Sequence, residues 1–344
     1  MPSLHATTTR KEELISYVLD CESGSGFANT PGAEPTLEAT FRALYILHSY
    51  NRLTEVDDET LVEWVNSTRN ADHGFGNTVT ASSDIYSTYY AMWIFKLFNK
   101  PIDNQTDNWV ADCQNGTNGF GEIVGASGTL FATYFGLEAL YLNNTDLSEY
   151  NVSIWLLERQ NKNPASTSYG GFSTDGNSSN MWGNWAALES LSRLNVSKGF
   201  LINPLVSWIN ECQNLISYED DFGAFSNKPS TTDYSLLNSY PAIVSLTKLG
   251  SSYLSQINLE AALSGLLDLQ NDDGGFRVNS ITADSSLSAT YFAFCLLRTV
   301  GEQSRLLEDA PWVYGFNMPV WLWIILGVVI AILAIVIIKK FYID

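Results

Sequence analysis

Apolar residues recur three and four positions apart in six stretches of ten or more residues. These begin at Leu37-Glu38-Ala39-Thr40-Phe41, Tyr86-Ser87-Thr88-Tyr89-Tyr90, Leu130-Phe131-Ala132-Thr133-Tyr134-Phe135, Trp182-Gly183-Asn184-Trp185, Leu236-Leu237-Asn238-Ser239-Tyr240 and Leu287-Ser288-Ala289-Thr290-Tyr291-Phe292. The period is that of a helix. Asp84, Asp233 and Asp284 stand ahead of three of them as expected N-caps. A second set of helices is expected upstream, where Tyr17, Trp64, Trp109, Trp155, Trp208 and Gly265 align. Each is followed five places on by Glu22, Arg69, Gln114, Gln160, Gln213 or Gln270. Apolar neighbours such as Val18 with Cys21, and Ile209 with Cys212, keep the same register.

Between the two sets lies a Gly-Phe pair: Gly26-Phe27, Gly74-Phe75, Gly119-Phe120, Gly171-Phe172 and Gly275-Phe276, with Gly223-Ala224-Phe225 as a variant. The phenylalanines recur every 45–53 residues. A fixed period of that length marks a repeat array. Each repeat reads as helix, Gly-rich turn, helix, the glycines supplying conformations that a Cβ resists. The body of the chain is therefore all-α, in six helical hairpins.

The pattern changes at Val320–Ile338, 19 uncharged residues that at 1.5 Å rise match a hydrocarbon core of about 30 Å. Trp321 and Trp323 lie at one end and Lys339-Lys340 at the other, as interfacial aromatics and a cationic stop would. The expected organisation is a repeat domain over 1–310, a linker over 311–319, one transmembrane helix over 320–338 and a short basic tail over 339–344. The Lys pair favours a cytoplasmic C-terminus and an extracytoplasmic body. The first thirty residues contain no apolar h-region. Two alternatives stay open: a start site placed too late, or a tail-anchored protein whose body stays in the cytoplasm.

Composition narrows the chemistry. With 18 basic against 37 acidic residues the net charge is -19, which excludes nucleic acid as a partner because phosphate binding needs clustered cations. At 45% hydrophobic and 16% charged residues the chain is too apolar to be disordered. Four cysteines without CxxC spacing, and only His5, His48 and His73, leave no His-rich zinc site. Cys21, Cys113 and Cys212 share one local context, which points to buried packing.

Gln270-Asn271-Asp272-Asp273-Gly274-Gly275-Phe276 resembles the QxxxGGF repeat of protein prenyltransferase β-subunits, and Ala289-Thr290-Tyr291-Phe292-Ala293 is similar to that family's inner-helix signature. The resemblance covers residues 10 to 305 and extends to squalene and terpene cyclases and complement-type thioester domains. Phe after the glycine, instead of Trp, places the chain nearer the prenyltransferases. The family implies an α6/α6 toroid, six inner helices around a lumen and six outer helices outside. Hairpins that cannot bury their apolar faces alone must stack, and six closed into a ring leave no exposed end. The Phe turns are expected on one rim.

The same resemblance implies zinc ligands two or four residues before the Thr or Ser of the inner-helix signature. Aligned on Thr40, Thr88, Thr133, Asn184, Ser239 and Thr290, the first position holds Glu38, Tyr86, Phe131, Trp182, Leu237 and Ser288; the second holds Thr36, Asp84, Thr129, Asn180, Ser235 and Ser286. In the late repeats neither supplies Cys, His or carboxylate, so zinc is expected to be absent and no cofactor is expected. The DxDD acid cluster of the cyclases is missing too. Val300-Gly301-Glu302-Gln303 imitates a thioester motif, with Val300 where the cysteine would stand. Glu138 and Glu189 occupy equivalent inner-helix places, and pairing with neighbouring helix ends is the expected role.

The candidate ligand-binding residues of the lumen are Glu38, Tyr86, Tyr90, Phe131, Trp182, Trp185, Leu237 and Ser288. They suit an extended apolar ligand, an isoprenoid or other lipid with a small polar head, or a peptide or protein partner. The expected function is a membrane-anchored, non-catalytic binding toroid. The alternative is a prenyltransferase- or cyclase-type enzyme with a non-standard catalytic set.

Overall fold

The computed structural model describes residues 8–116, 118–174 and 178–310. Helices follow in pairs: α1 (Arg10–Asp20) and α2 (Leu37–Ser49), α3 (Asp58–Ser67) and α4 (Ile85–Leu97), α5 (Asn104–Asp112) and α6 (Leu130–Leu142), α7 (Ser153–Glu158) and α8 (Met181–Arg193), α9 (Ile202–Asn210) and α10 (Leu236–Leu249). A single extra turn, α11 (Ser251–Leu254), precedes the last pair, α12 (Leu259–Leu267) and α13 (Leu287–Thr299). The second helices of the pairs pack side by side in the order α2, α4, α6, α8, α10, α13, and α13 returns to α2. The inner ring is closed, as the toroid reading requires. Val320–Ile338 lies outside the described residues; among the described residues no helix is long and apolar enough to cross a membrane.

Each inner helix has the same start. Thr36, Asp84, Thr129, Asn180, Ser235 and Ser286 are the N-caps, and each side chain accepts from the N–H three residues on. Asp84 caps as predicted. Asp233 and Asp284 do not, because each stands two residues too early for its oxygen to reach the first-turn N–H groups; Asp233 instead accepts from the Asn227 N–H and the Thr231 hydroxyl. Five of the six inner helices also end alike, whereas α10 stops at Gly250 with φ +136° and ψ 155°. Asn51, Asn99, Asn144 and Asn195, and Gly301 after the last, take left-handed backbone that stops the helix. That role accounts for the Gly301 of the thioester-like tetrapeptide.

The Phe turns hold the repeats in register. The N–H groups of Phe27, Phe75, Phe120, Phe172, Phe225 and Phe276 donate to Thr40, Thr88, Thr133, Asn184, Ser239 and Thr290 at 2.6–3.0 Å. The aligned polar residue of every inner helix is thus its turn anchor. The first N–H of one inner helix then reaches the next turn: Leu37 to Asn77, Ile85 to Glu122, Met181 to Asn227 and Leu236 to Val278, with Leu287 closing the circle on Asn29 at 2.7 Å. These bonds gather the six turns on one rim. The repeat glutamines staple neighbouring outer helices. Gln160 bonds both the N–H and the carbonyl of Leu201, and Gln213 does the same to Asn258.

The glycines serve two needs. Gly119 permits close approach, since a Cβ there would lie 2.5 Å from the Trp155 ring of the next outer helix. Gly274 adopts φ +87° and presses on the Glu13 carbonyl of α1. That contact belongs to the seam between last and first repeats, together with Arg10 N–H to Glu308, Ala310 N–H to Thr8, the Arg10 guanidinium to the Leu267 carbonyl and the Gln270 amide to the Arg10 carbonyl. The four cysteines are buried and unpaired, and burial raises each thiol to about 12.

Candidate functional site: a two-chambered aromatic lumen

Helix geometry selects the residues that face the lumen. Relative to the turn anchors, positions two before, one after and five after fall three and four apart, on one stripe. The position one after is aromatic in every repeat: Phe41, Tyr89, Tyr134, Trp185, Tyr240 and Tyr291. Ring centroids stand 4.5 Å apart for Tyr134 and Trp185, 5.7 Å for Phe41 and Tyr89, 5.8 Å for Phe41 and Tyr291, and 6.3 Å for Trp185 and Tyr240. These six rings wall two cavities. One, of about 280 Å³, lies at the N-terminal end of the inner helices beside the Phe turns; the other, of about 520 Å³, lies at their C-terminal end.

The first cavity brings together Glu38, Tyr90, Phe131, Trp182, Trp185, Leu237 and Ser288 of the predicted residues. Tyr86 is not among its lining residues: its ring packs on Phe131 and Phe135, and its hydroxyl donates to Glu122 at 2.9 Å. Sequence reasoning missed Phe41, Arg42, Tyr89, Tyr134, Phe135, Tyr240, Tyr291 and Phe292, which also line it. The signal was present in the unbroken run of aromatics one residue after each anchor. Trp182 sits at the centre of the apolar wall, edge-on to Phe131 at 5.6 Å, Trp185 at 5.4 Å and Phe292 at 5.3 Å. Such contacts give a rigid, preformed surface.

One charged pair interrupts that surface. The Arg42 guanidinium bonds the Glu38 carboxylate at 2.6 Å and lies 5.3 Å over the Phe292 ring. Among the described residues no other ionised side chain lines the cavity, so this wall is formally neutral. Burial raises the phenols of Tyr89, Tyr134, Tyr240 and Tyr291 well above the ordinary value and keeps them neutral.

The residues at the positions that the resemblance assigns to zinc do not fit the metal. Ser235 and Ser286 spend their hydroxyl oxygens as N-caps, on Asn238 and Ala289, and Leu237 and Ser288 offer no anionic or imidazole donor. Among the described residues no three His, Cys, Asp or Glu side chains converge. The weighed acids are engaged elsewhere. Glu138 takes a bidentate contact from Arg193 at 2.6 and 2.8 Å, and Glu189 pairs with Lys248.

The chain matches the prenyltransferase alpha-alpha toroid domain family over residues 1–174 and 167–311, and it belongs to that family. Solved structures of the same fold include protein geranylgeranyltransferase-I of Candida albicans complexed with GGPP, at 20% identity and TM-score 0.63, covering 81% of this chain and 90% of that one. A type II terpene cyclase from Scytonema follows at 11% identity and TM-score 0.54, covering 87% and 98%. An alpha-amylase from Clostridium perfringens follows at 14% identity and TM-score 0.58, covering 86% and 99%. These likenesses concern fold alone, and the range of activities shows how little the toroid dictates chemistry. No curated protein matches the chain in sequence.

Proposed function

We propose that this protein is a membrane-tethered toroid that binds an isoprenoid or similar lipid in the chamber beside the Phe turns, without a catalytic set of its own. The observation that carries the reading is the chamber itself: an aromatic wall interrupted by a single, internally neutralised ion pair. Apolar burial drives entry, at about 25 cal/mol per Å² removed from water. Glu38, Arg42 and Ser288 supply polar contacts for a small head. That head is uncharged, a hydroxyl or carbonyl, because a diphosphate needs surplus cations and, among the described residues, the one guanidinium in the wall already faces a carboxylate. The family supports an isoprenoid ligand: one neighbour is complexed with GGPP, and a Scytonema cyclase variant is in complex with geranylgeranyl dihydroxybenzoate. Tethering rests on Val320–Ile338, with the Lys339-Lys340 pair favouring an extracytoplasmic toroid.

Native mass spectrometry of the full chain in detergent tests the reading. Retained lipid is expected, and Trp182→Glu is expected to lower retention at least tenfold by setting a carboxylate among Phe131, Trp185 and Phe292. Retention unchanged by that substitution overturns the lumen as the site. Turnover of geranylgeranyl diphosphate by the purified chain would favour the enzyme alternative instead.

A further inference from the structure

The repeat is broken at one place among the outer helices. In four repeats the turn glycine lies under a ring of the next outer helix: a Cβ at Gly26, Gly74, Gly119 or Gly275 would stand 2.5–2.9 Å from Trp64, Trp109, Trp155 or Tyr17. Between the fifth and sixth repeats both members of the pair change, to Ala224 in the turn and Gly265 on α12. No outer-helix ring covers Ala224, which is half-buried where those four glycines are buried. A Cβ on Gly265 would meet only the Phe222 carbonyl, at 3.3 Å. Glycine inside a helix weakens it, and here the missing side chain leaves a notch.

The notch has a volume of about 20 Å³ and reaches the surface at the exposed Asp220. Phe222, Leu236, Leu266 and Leu269 wall it together with Ala224 and Gly265. The Ala224 methyl stands where the ring edge lies in the other repeats, so the space takes the tip of a branched aliphatic side chain and not an indole. In the two adjoining loops Tyr218 and Ile281 are 88% and 87% exposed, and the Ser280 N–H to Asp221 bond at 3.4 Å draws those loops together. Large apolar side chains exposed beside an apolar hollow mark an interaction surface. Charge selects the partner. Asp220 and Asp221 line the same notch, and among the described residues no Lys or Arg pairs with either. A second copy of this chain, at a net charge of -19, would bring like charge against them, as would an anionic lipid surface. A cation beside the aliphatic group is the complement.

We propose that this notch docks a protein partner through a leucine-sized side chain flanked by Lys or Arg. The aliphatic tip takes the place of the ring that the sixth outer helix lacks, and the cation meets Asp220 and Asp221. The broken repeat carries this inference independently of what occupies the lumen.

Fluorescence anisotropy on the full chain in detergent, with the labelled peptide Gly-Arg-Leu-Lys-Gly as probe and Gly-Arg-Ala-Lys-Gly as its counterpart, tests it. The leucine peptide is expected to bind at least fivefold more tightly. Asp220→Asn combined with Asp221→Asn should weaken both peptides at least fivefold. Ala224→Gly combined with Gly265→Trp rebuilds the pair found in the other repeats and should remove the difference between the peptides. Gly265→Leu, which fills the notch from α12, should do the same and keeps the inference testable if the double variant fails to fold. Equal affinity for the two peptides, binding of neither, or a leucine preference that survives in a folded filling variant overturns the proposal. So does a dimer of the chain alone that Gly265→Leu dissociates, because the occupant is then a second copy.

Discussion

Ring closure rests on a seam that a single methyl group can open. Gly274 has φ +87°, and a Cβ there would lie 2.1 Å from the Glu13 carbonyl oxygen and 2.5 Å from its carbon. Gly24 also has positive φ, +61°, but a Cβ there meets nothing within 4 Å. Both Gly→Ala changes incur the left-handed conformational penalty of about 1–2 kcal/mol, partly offset by about 0.4–1 kcal/mol from a less flexible unfolded chain. Gly24→Ala should therefore cost about 1 kcal/mol. In Gly274→Ala the backbone of α1 must also retreat, and the Gln270–Arg10 and Arg10–Leu267 bonds at 3.0 and 2.9 Å stretch with it. Each buried bond lost costs about 1–3 kcal/mol, so with the backbone penalty the total is about 3–7 kcal/mol. Urea unfolding of the full chain in detergent measures the difference, and hydrogen exchange at the Arg10 and Ala310 amides localises it. If the two variants lose stability equally and both amides stay protected, the first and last repeats do not meet as described.

The remaining predictions concern the turn anchors, an ion pair and pH. Thr133→Val leaves the buried Phe120 N–H without its 2.9 Å acceptor and should cost about 1–3 kcal/mol in urea unfolding, whereas Thr133→Ser keeps the acceptor and should lose less. Arg193→Met strands Glu138, whose side chain is 12% exposed, and should cost about 1–3 kcal/mol after screening, with Glu138→Gln in the same background recovering part of it. Burial raises the thiols to about 12 and the partition tyrosines well above 10.0, so the unfolded chain releases these protons first. Stability present below about pH 9 should then fall as pH rises through 9 to 12. Melting temperatures across that range check the sign, and native thiols should resist maleimide at pH 8.

Helix positions, repeat number and the aligned polar residue of each inner helix could be read directly from the chain. Apolar spacing is a local property, and six copies in register suppress chance. The exact starts were less legible. Asp233 and Ser235 are both good capping residues, and only the path of the turn decides which oxygen reaches the first N–H groups. The anchor role of Thr40 and its equivalents was likewise hidden, since a threonine in an apolar stripe shows no partner until Phe27 is brought beside it.

The sequence by itself determined the six-fold helical hairpin array, the aromatic character of its lumenal stripe, the missing family ligands and the apolar segment near the C-terminus. Each of these depends on residue type at a fixed short spacing. Tertiary structure alone decided that the stripe divides the lumen into two chambers, that Glu138 meets Arg193 and that Glu189 meets Lys248. Those outcomes depend on which side chains from separate helices meet across a closed ring. Closure is set by long-range bonds such as Leu287 to Asn29 and Arg10 to Glu308, whose partners no local pattern specifies.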